Sequence, residues 1–191
     1  MEHYIASRSQ KPLSKNDIIA INKMAEADKA SGNKVINGSI GTFLDDNKKL
    51  GAVLTVDEAL KEHITDRLGY PSVYGDNDYL EAIQNWVFKD KGEKIKKLYQ
   101  VFSGATLGGT GAISMAFNLF LEPLEAVLLP NVMWTNYKLI AKKASCSVVE
   151  YNMFNEKGKF DIQSVKDCIE TQFRKNEKVL LVINDPCQNP T

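Results

Sequence analysis

From Leu98 onward the sequence alternates short apolar runs with longer stretches whose apolar residues recur at helical spacing. Leu98–Phe102, Ala126–Leu129, Cys146–Glu150 and Lys178–Asn184 have the length and aliphatic content of strands. Gly109–Leu121, Trp134–Ala144 and Asp161–Lys175 have the length and periodicity of helices. Strands that alternate with helices predict a parallel sheet with crossover helices on its faces, a three-layer α/β domain beginning near residue 50. Val179–Ile183 is apolar on both faces, which predicts a central strand.

Upstream, residues 1–13 read as an irregular arm. Ser14 is placed to cap a helix whose apolar face is Ile18, Ile19, Ile21, Met24 and Ala25, with Gly32 ending it. Lys34–Ile40 reads as a short strand and the Asp45-Asp46 pair as part of a turn. Thr55-Val56-Asp57-Glu58 has the form of a capping box, opening a helix to about Leu68 that Gly69 closes. After a turn-rich linker, Tyr70–Gly75, a helix capped by Asp76 or Asn77 runs to about Lys89, with Leu80, Ile83, Trp86 and Val87 inward. Lys89–Lys97 reads as a solvated charged stretch.

At 191 residues, 43% hydrophobic and 25% charged, the chain is long enough to bury a sizeable core and has the balance of a soluble globular protein. Lysine plus arginine equal aspartate plus glutamate, 24 each, so no excess of charge points to nucleic acid or to an anionic membrane. No apolar run approaches the ~20 residues of a membrane span. The first residues lack a signal-peptide pattern. Cys146, Cys168 and Cys187 form no CxxC motif and suit a reducing interior, which predicts a cytoplasmic protein. Because Thr191 follows closely on an apolar strand, the chain is expected to be the N-terminal part of a longer protein.

The chemistry concentrates at Gly104-Ala105-Thr106-Leu107-Gly108-Gly109-Thr110-Gly111-Ala112, where an apolar run hands over to a helix. Glycines there either allow close helix packing or let an anion reach backbone N–H groups at the positive end of the helix dipole. A nucleotide P-loop is excluded, because no lysine follows until Lys138. The dinucleotide fingerprint fails too, with Ser114 at the third glycine position and Asn131 where an acid should grip a ribose. Trp134 follows the end of one predicted strand, where an aromatic can stack on a flat ring or fill core. Asn189 follows another, held between Pro186 and Pro190. Tyr70 offers a phenol on the linker. His3 and His63 are isolated, no residues have metal-ligand spacing, and Cys187 reads as a small buried thiol.

Taken together, these residues resemble the aspartate/aromatic branch of the pyridoxal-phosphate aminotransferases, fold type I, class I/II. The resemblance runs from about Ile36 to Thr191. Asn37–Asn47 looks like the family's Asn-Leu-Gly-Val-Gly-Ala-Tyr segment, which puts Ile40 and Gly41 at substrate-facing positions. Tyr70 with Gly75 matches a turn whose tyrosine reaches the cofactor phosphate of the partner subunit. Thr106–Ala112 is similar to Thr-Leu-Ser-Gly-Thr-Gly-Ala, so Gly108, Gly109 and Thr110 fall at the phosphate. Gly108 replaces a serine that usually donates there; Thr106 and Ser103 are the nearby hydroxyls. Trp134 falls on the aromatic over the pyridine ring, and Tyr137 stands where a histidine is common behind it. Asn189-Pro190-Thr191 matches the start of Asn-Pro-Thr-Gly, whose asparagine bonds the cofactor's phenolic oxygen.

The resemblance implies an aminotransferase that uses pyridoxal 5′-phosphate to move an amino group between an amino acid and a 2-oxo acid. It implies a homodimer, with residues 1–50 as arm and small-domain segment and 51–191 as the first portion of the cofactor-binding domain. In the family the Schiff-base lysine and the substrate-binding arginine follow the Asn-Pro-Thr-Gly motif. The catalytic lysine is therefore expected beyond Thr191, and the chain alone is expected to be inactive. Two other readings share these residues: a C–S or C–C lyase on the same scaffold, and a regulator that binds the cofactor as an effector.

Overall fold

The structure, a computed structural model, describes residues 18–47, 49–66 and 69–190. The expected arm over 1–13, the Ser14 cap and Leu68 lie outside these residues. The chain forms two units, one ending at Tyr70 and the other beginning at Pro71.

In the first unit, helix α1 spans Ile18–Ala30. Gly32, at φ +89°, ends the chain's helical path as anticipated, its N–H donating to the Lys29 carbonyl at 3.1 Å. The strand expected over 34–40 does not form. Asn37 Nδ2 donates instead to Asn22 Oδ1 (2.8 Å) and Glu26 Oε1 (3.0 Å), tying this segment to α1 through side chains rather than to a neighbouring strand. Asp45 Oδ1 accepts from the N–H groups of Asn47 and Lys49 at 2.9 and 2.8 Å, closing the turn that bridges Leu44 and Leu50. Helix α2, Leu54–His63, begins before the expected box. The N–H groups of Val56 and Asp57 reach the Val53 carbonyl, so Thr55 lies inside the first turn and does not act as a cap.

The second unit opens with α3, Asn77–Phe88, followed by a 3-10 turn, Lys89–Lys91, and α4, Gly92–Leu98. The stretch read as a solvated charged surface is largely helical and carries no buried residue. Trp86 is 77% exposed rather than core, and of the four residues expected inward on α3 only Leu80 is half-buried. The strand expected at Leu98–Phe102 is absent. Leu98 closes α4, and although Tyr99 is extended (φ −136°, ψ 147°), no strand pairs with it among the described residues.

The remaining elements follow the expected alternation: α5 (Gly108–Phe120), β1 (Ala126–Pro130), α6 (Asn136–Lys143), β2 (Ser147–Tyr151), α7 (Ile162–Asn176) and β3 (Leu180–Leu181). Within this sheet the pairing is parallel, in the order β2-β1-β3, with Ala126 opposite Ser147 and Val127 opposite Leu180. Side chains of a strand alternate between faces, and β1 uses both. Val127 and Leu129 pack with Phe117 of α5 and with Tyr137 and Ile140 of α6. Leu128 packs oppositely with Tyr151 of β2 and Val165 of α7. The layers are therefore α5/α6, sheet and α7, as the sequence pattern implies. Among the described residues β1 has a strand on each side and is buried along its whole length, with the 179–183 segment beside it. That segment has β1 as its one neighbour in the described residues, and Ile183 is 58% exposed.

Polar ties fix the frame. Asp161 Oδ1 caps α7 by accepting from the Ser164 N–H at 3.0 Å. Glu125 Oε2 accepts from Lys178 Nζ at 2.7 Å, joining the approaches to β1 and β3. Tyr151 donates its hydroxyl to the Val182 carbonyl at 3.1 Å, reaching from β2 across to the β3 side.

Candidate functional site

Because β1, β2 and β3 are parallel, their C-terminal ends share one edge of the sheet. Trp134 and Asn189 both lie on segments that leave this edge, after β1 and β3 respectively. Helix α5 comes back to the start of β1 through only residues 121–125, so it runs against the strands. Its 13 residues span about 20 Å at about 1.5 Å each. The N-terminus of α5 is consequently directed toward the same edge.

That N-terminus is built from backbone. The Ala105 N–H donates to the Tyr74 carbonyl at 2.8 Å, clipping the turn before α5 to the linker. Gly75 makes the clip possible: its φ is +102°, and a Cβ there would stand 2.9 Å from the Ala105 Cβ. Gly108 has φ +65° and its N–H donates to the Thr106 carbonyl at 2.8 Å. The N–H groups of Gly109 and Thr110 belong to the first turn, where a helix has no carbonyl of its own to offer. At Gly108 and Gly109 an added Cβ would meet nothing within 4 Å, so the space in front of this helix end is open. Of the two hydroxyls nearby, that of Thr106 already donates and that of Ser103 accepts. Thr106 Oγ1 donates to the Gly108 carbonyl at 3.0 Å, and Ser103 Oγ accepts from Gln84 Nε2 at 3.0 Å.

Trp134 lies just ahead of α6 rather than inside it, because Thr135 is the residue that precedes the first helical position. It is half-buried against the α5/α6 core, and its ring meets Tyr137 edge to face, with centroids 5.5 Å apart at 88°. Asn189 is exposed on the turn after β3. Asn184 Nδ2 braces this turn by donating to the Cys187 carbonyl at 3.1 Å. Cys187 itself is exposed, contrary to the buried thiol expected. Its neighbour Gln188 is the buried residue, and sequence reading passed over it. A glutamine directly before Asn-Pro, after an apolar strand, was the available signal. Tyr70, Ile40 and Gly41 are all exposed and belong to the first unit.

The thiols offer little nucleophilic character. Burial, then the Glu125 charge, raises the Cys146 pKa, while burial and then Asp167 raise that of Cys168. His63 pairs with Asp66 at 3.0 Å on the surface, and no group of three possible metal ligands occurs among the described residues. No helix among them is long and apolar enough to cross a membrane. The arrangement suits binding of a flat anionic molecule, with the anion at α5 and the flat part near Trp134.

The family model for class I and II aminotransferases matches residues 33–191. Among solved structures, an aminotransferase from Anaerococcus prevotii is 26% identical with a TM-score of 0.83, over 98% of this chain and 46% of that one. Cytoplasmic aspartate aminotransferase of Saccharomyces cerevisiae is 21% identical with a TM-score of 0.79, over 96% and 45% of the two chains. An aromatic-amino-acid aminotransferase from Burkholderia pseudomallei, covalently bound to pyridoxal phosphate, is 20% identical with a TM-score of 0.78, over 98% and 47%. The chain spans about half the length of these structures. No curated protein sequence matches it.

Proposed function

The chain belongs to the class I and II aminotransferase family, and we propose that it forms the phosphate- and ring-holding part of a pyridoxal-phosphate aminotransferase. The whole protein would move an amino group between an amino acid and a 2-oxo acid. The residues present fit the cofactor. A phosphate needs donors that other groups do not occupy, and the open first turn of α5 offers the Gly109 and Thr110 N–H groups at the positive end of a helix dipole. A pyridine ring needs an aromatic face, and the half-buried Trp134 ring stands at the sheet edge toward which α5 points.

When bound, pyridoxal phosphate supplies the electron sink of amino-group chemistry. The chain's own residues bind and orient. Gly108, with a positive φ no bulkier residue adopts easily, opens the backbone at the phosphate; Gly109 and Thr110 donate to it. Trp134 covers the ring and keeps water from one face, and Asn189 donates to the phenolic oxygen. Ile40 and Gly41 face the substrate, and Tyr70 completes the phosphate site of a second subunit in a homodimer. Residues 51–191 are assigned to the cofactor-binding domain and 1–50 to an arm and small-domain segment. The three free thiols support a cytoplasmic setting. The lysine that holds the cofactor covalently is assigned to sequence after the Asn189-Pro190-Thr191 motif, which supports inactivity of residues 1–191 alone.

The observation that carries this reading is the open, glycine-started end of α5 within a chain whose residues 33–191 fit the family. Calorimetric titration with pyridoxamine 5′-phosphate, which has no aldehyde to react with surface lysines, tests it. One molecule should bind per chain, and Thr110→Val, which keeps the backbone N–H but removes the hydroxyl beside it on the first turn, should weaken binding by about tenfold or more, the value of one hydrogen bond to a charged group. Absence of saturable binding would refute the reading.

A further inference from the structure

Gln188 is 7% exposed, although neighbouring Cys187 and Asn189 are exposed. Its Nε2 donates to the Val132 carbonyl at 2.9 Å and to the Asn189 carbonyl at 3.2 Å. Two carbonyl acceptors on one nitrogen fix which way the amide faces, since its oxygen could bond neither. Val132 lies two residues before Trp134, and 56 positions separate it from Gln188.

We infer that Gln188 is a positioning residue, whose amide ties the turn carrying Trp134 to the turn carrying Asn189. This inference rests on the cofactor reading, in which those two residues contact the ring and its phenolic oxygen. Each turn is already held within itself. On the β1 side, Tyr137 donates its N–H to the Trp134 carbonyl at 3.1 Å and meets the indole edge to face. On the β3 side, Asn184 bonds the Cys187 carbonyl. Local ties of that kind fix the shape of a turn but leave its distance from the other turn free.

The strand ladder sets that distance only as far as it extends. β1 pairs with β3 at Val127–Leu180 and Leu128–Leu181, and the Val182 N–H still reaches the Leu128 carbonyl at 3.0 Å. Past Val182 no backbone hydrogen bond joins the two segments among the described residues, and the Gln188 side chain bridges them at Val132. A stacked ring tolerates little change in spacing, because dispersion attraction falls steeply when a gap opens. The amide therefore acts on ring binding and not on the phosphate end at α5.

The test uses the 191-residue chain carrying Trp86→Phe, which removes an exposed indole outside the site and leaves Trp134 as the only tryptophan. With 5-fluorotryptophan incorporated, the 19F resonance reports the Trp134 surroundings without any cofactor. Gln188→Met keeps the length of the side chain and removes both donors. Expected are a shifted or broadened Trp134 resonance, about tenfold weaker binding of pyridoxamine 5′-phosphate, and inorganic phosphate affinity within about twofold of the parent. An unmoved resonance with unchanged affinity overturns the inference. So does a matched fall in both affinities together with the unfolding midpoint, which describes general destabilisation. If the parent chain binds neither ligand while the resonance still moves, the cofactor reading fails and the tie between the turns stands.

Discussion

At the scale of single residues, two adjacent glycines serve different ends. Gly108 sits at φ +65°, where a Cβ is strained even though the space around it is open. Gly109 carries no such constraint and is equally open. Gly108→Ala should therefore lower the unfolding free energy by about 1 kcal/mol. Gly109→Ala should leave it unchanged or slightly higher, because alanine is the better helix former. Its Cβ would nevertheless stand in front of the first-turn N–H groups, so pyridoxamine 5′-phosphate should bind at least about tenfold more weakly. Denaturant titration and calorimetry on the two variants separate strain from access. If both variants kept full affinity, access to this helix end would not govern phosphate binding. Tyr151 presents a simpler case: Tyr151→Phe removes one buried donor and should cost about 1 kcal/mol in urea unfolding.

At the scale of elements, the approach to β3 is held to the rest of the sheet by charge. The hydrogen bond from Lys178, then that from the Glu122 N–H, keeps the Glu125 carboxyl below its ordinary value of 4.5. A carboxyl depressed by folding stabilises the fold above its unfolded pKa, and that contribution disappears as pH falls through the folded value. Thermal midpoints followed from about pH 6 to about pH 3 should fall more steeply in the parent than in Glu125→Gln. Equal slopes would mean that the pair does not hold β3. The same element marks the limit of what sequence reveals. β1, α5 and α7 were legible because their signals are local: an apolar run at Val127, Leu128 and Leu129, glycines before an apolar helix, helical periodicity from Asp161 to Lys175. That 179–183 has one strand neighbour among the described residues, that no strand forms at 98–102 and that Trp86 is exposed were not legible, since each depends on which segments lie alongside. Gln188 escaped notice for a similar reason, its partner being 56 positions away.

At the scale of the whole molecule, the second unit buries one face of α5 and leaves the other uncovered. Met115 is 55% exposed and Leu119 is 70% exposed, one helical turn apart. Leu119→Lys should accordingly change the chain's unfolding free energy by no more than about 0.5 kcal/mol. A larger loss in dilute solution would mean that something covers this face. The proposed site likewise gathers binding groups around the sheet's C-terminal edge without an assigned covalent lysine. The chain supplied with pyridoxal phosphate, an amino acid and a 2-oxo acid should therefore show no turnover above the cofactor alone.

The central claim is that this chain recognises the cofactor by its phosphate at α5 and by its ring at Trp134. Its most direct test is quenching of Trp134 fluorescence in the Trp86→Phe chain, with pyridoxamine 5′-phosphate and pyridoxamine titrated side by side. The account predicts saturable quenching by the phosphorylated compound, at least about tenfold tighter than by pyridoxamine, with inorganic phosphate competing. Equal quenching by the two compounds, or none by either, would contradict it.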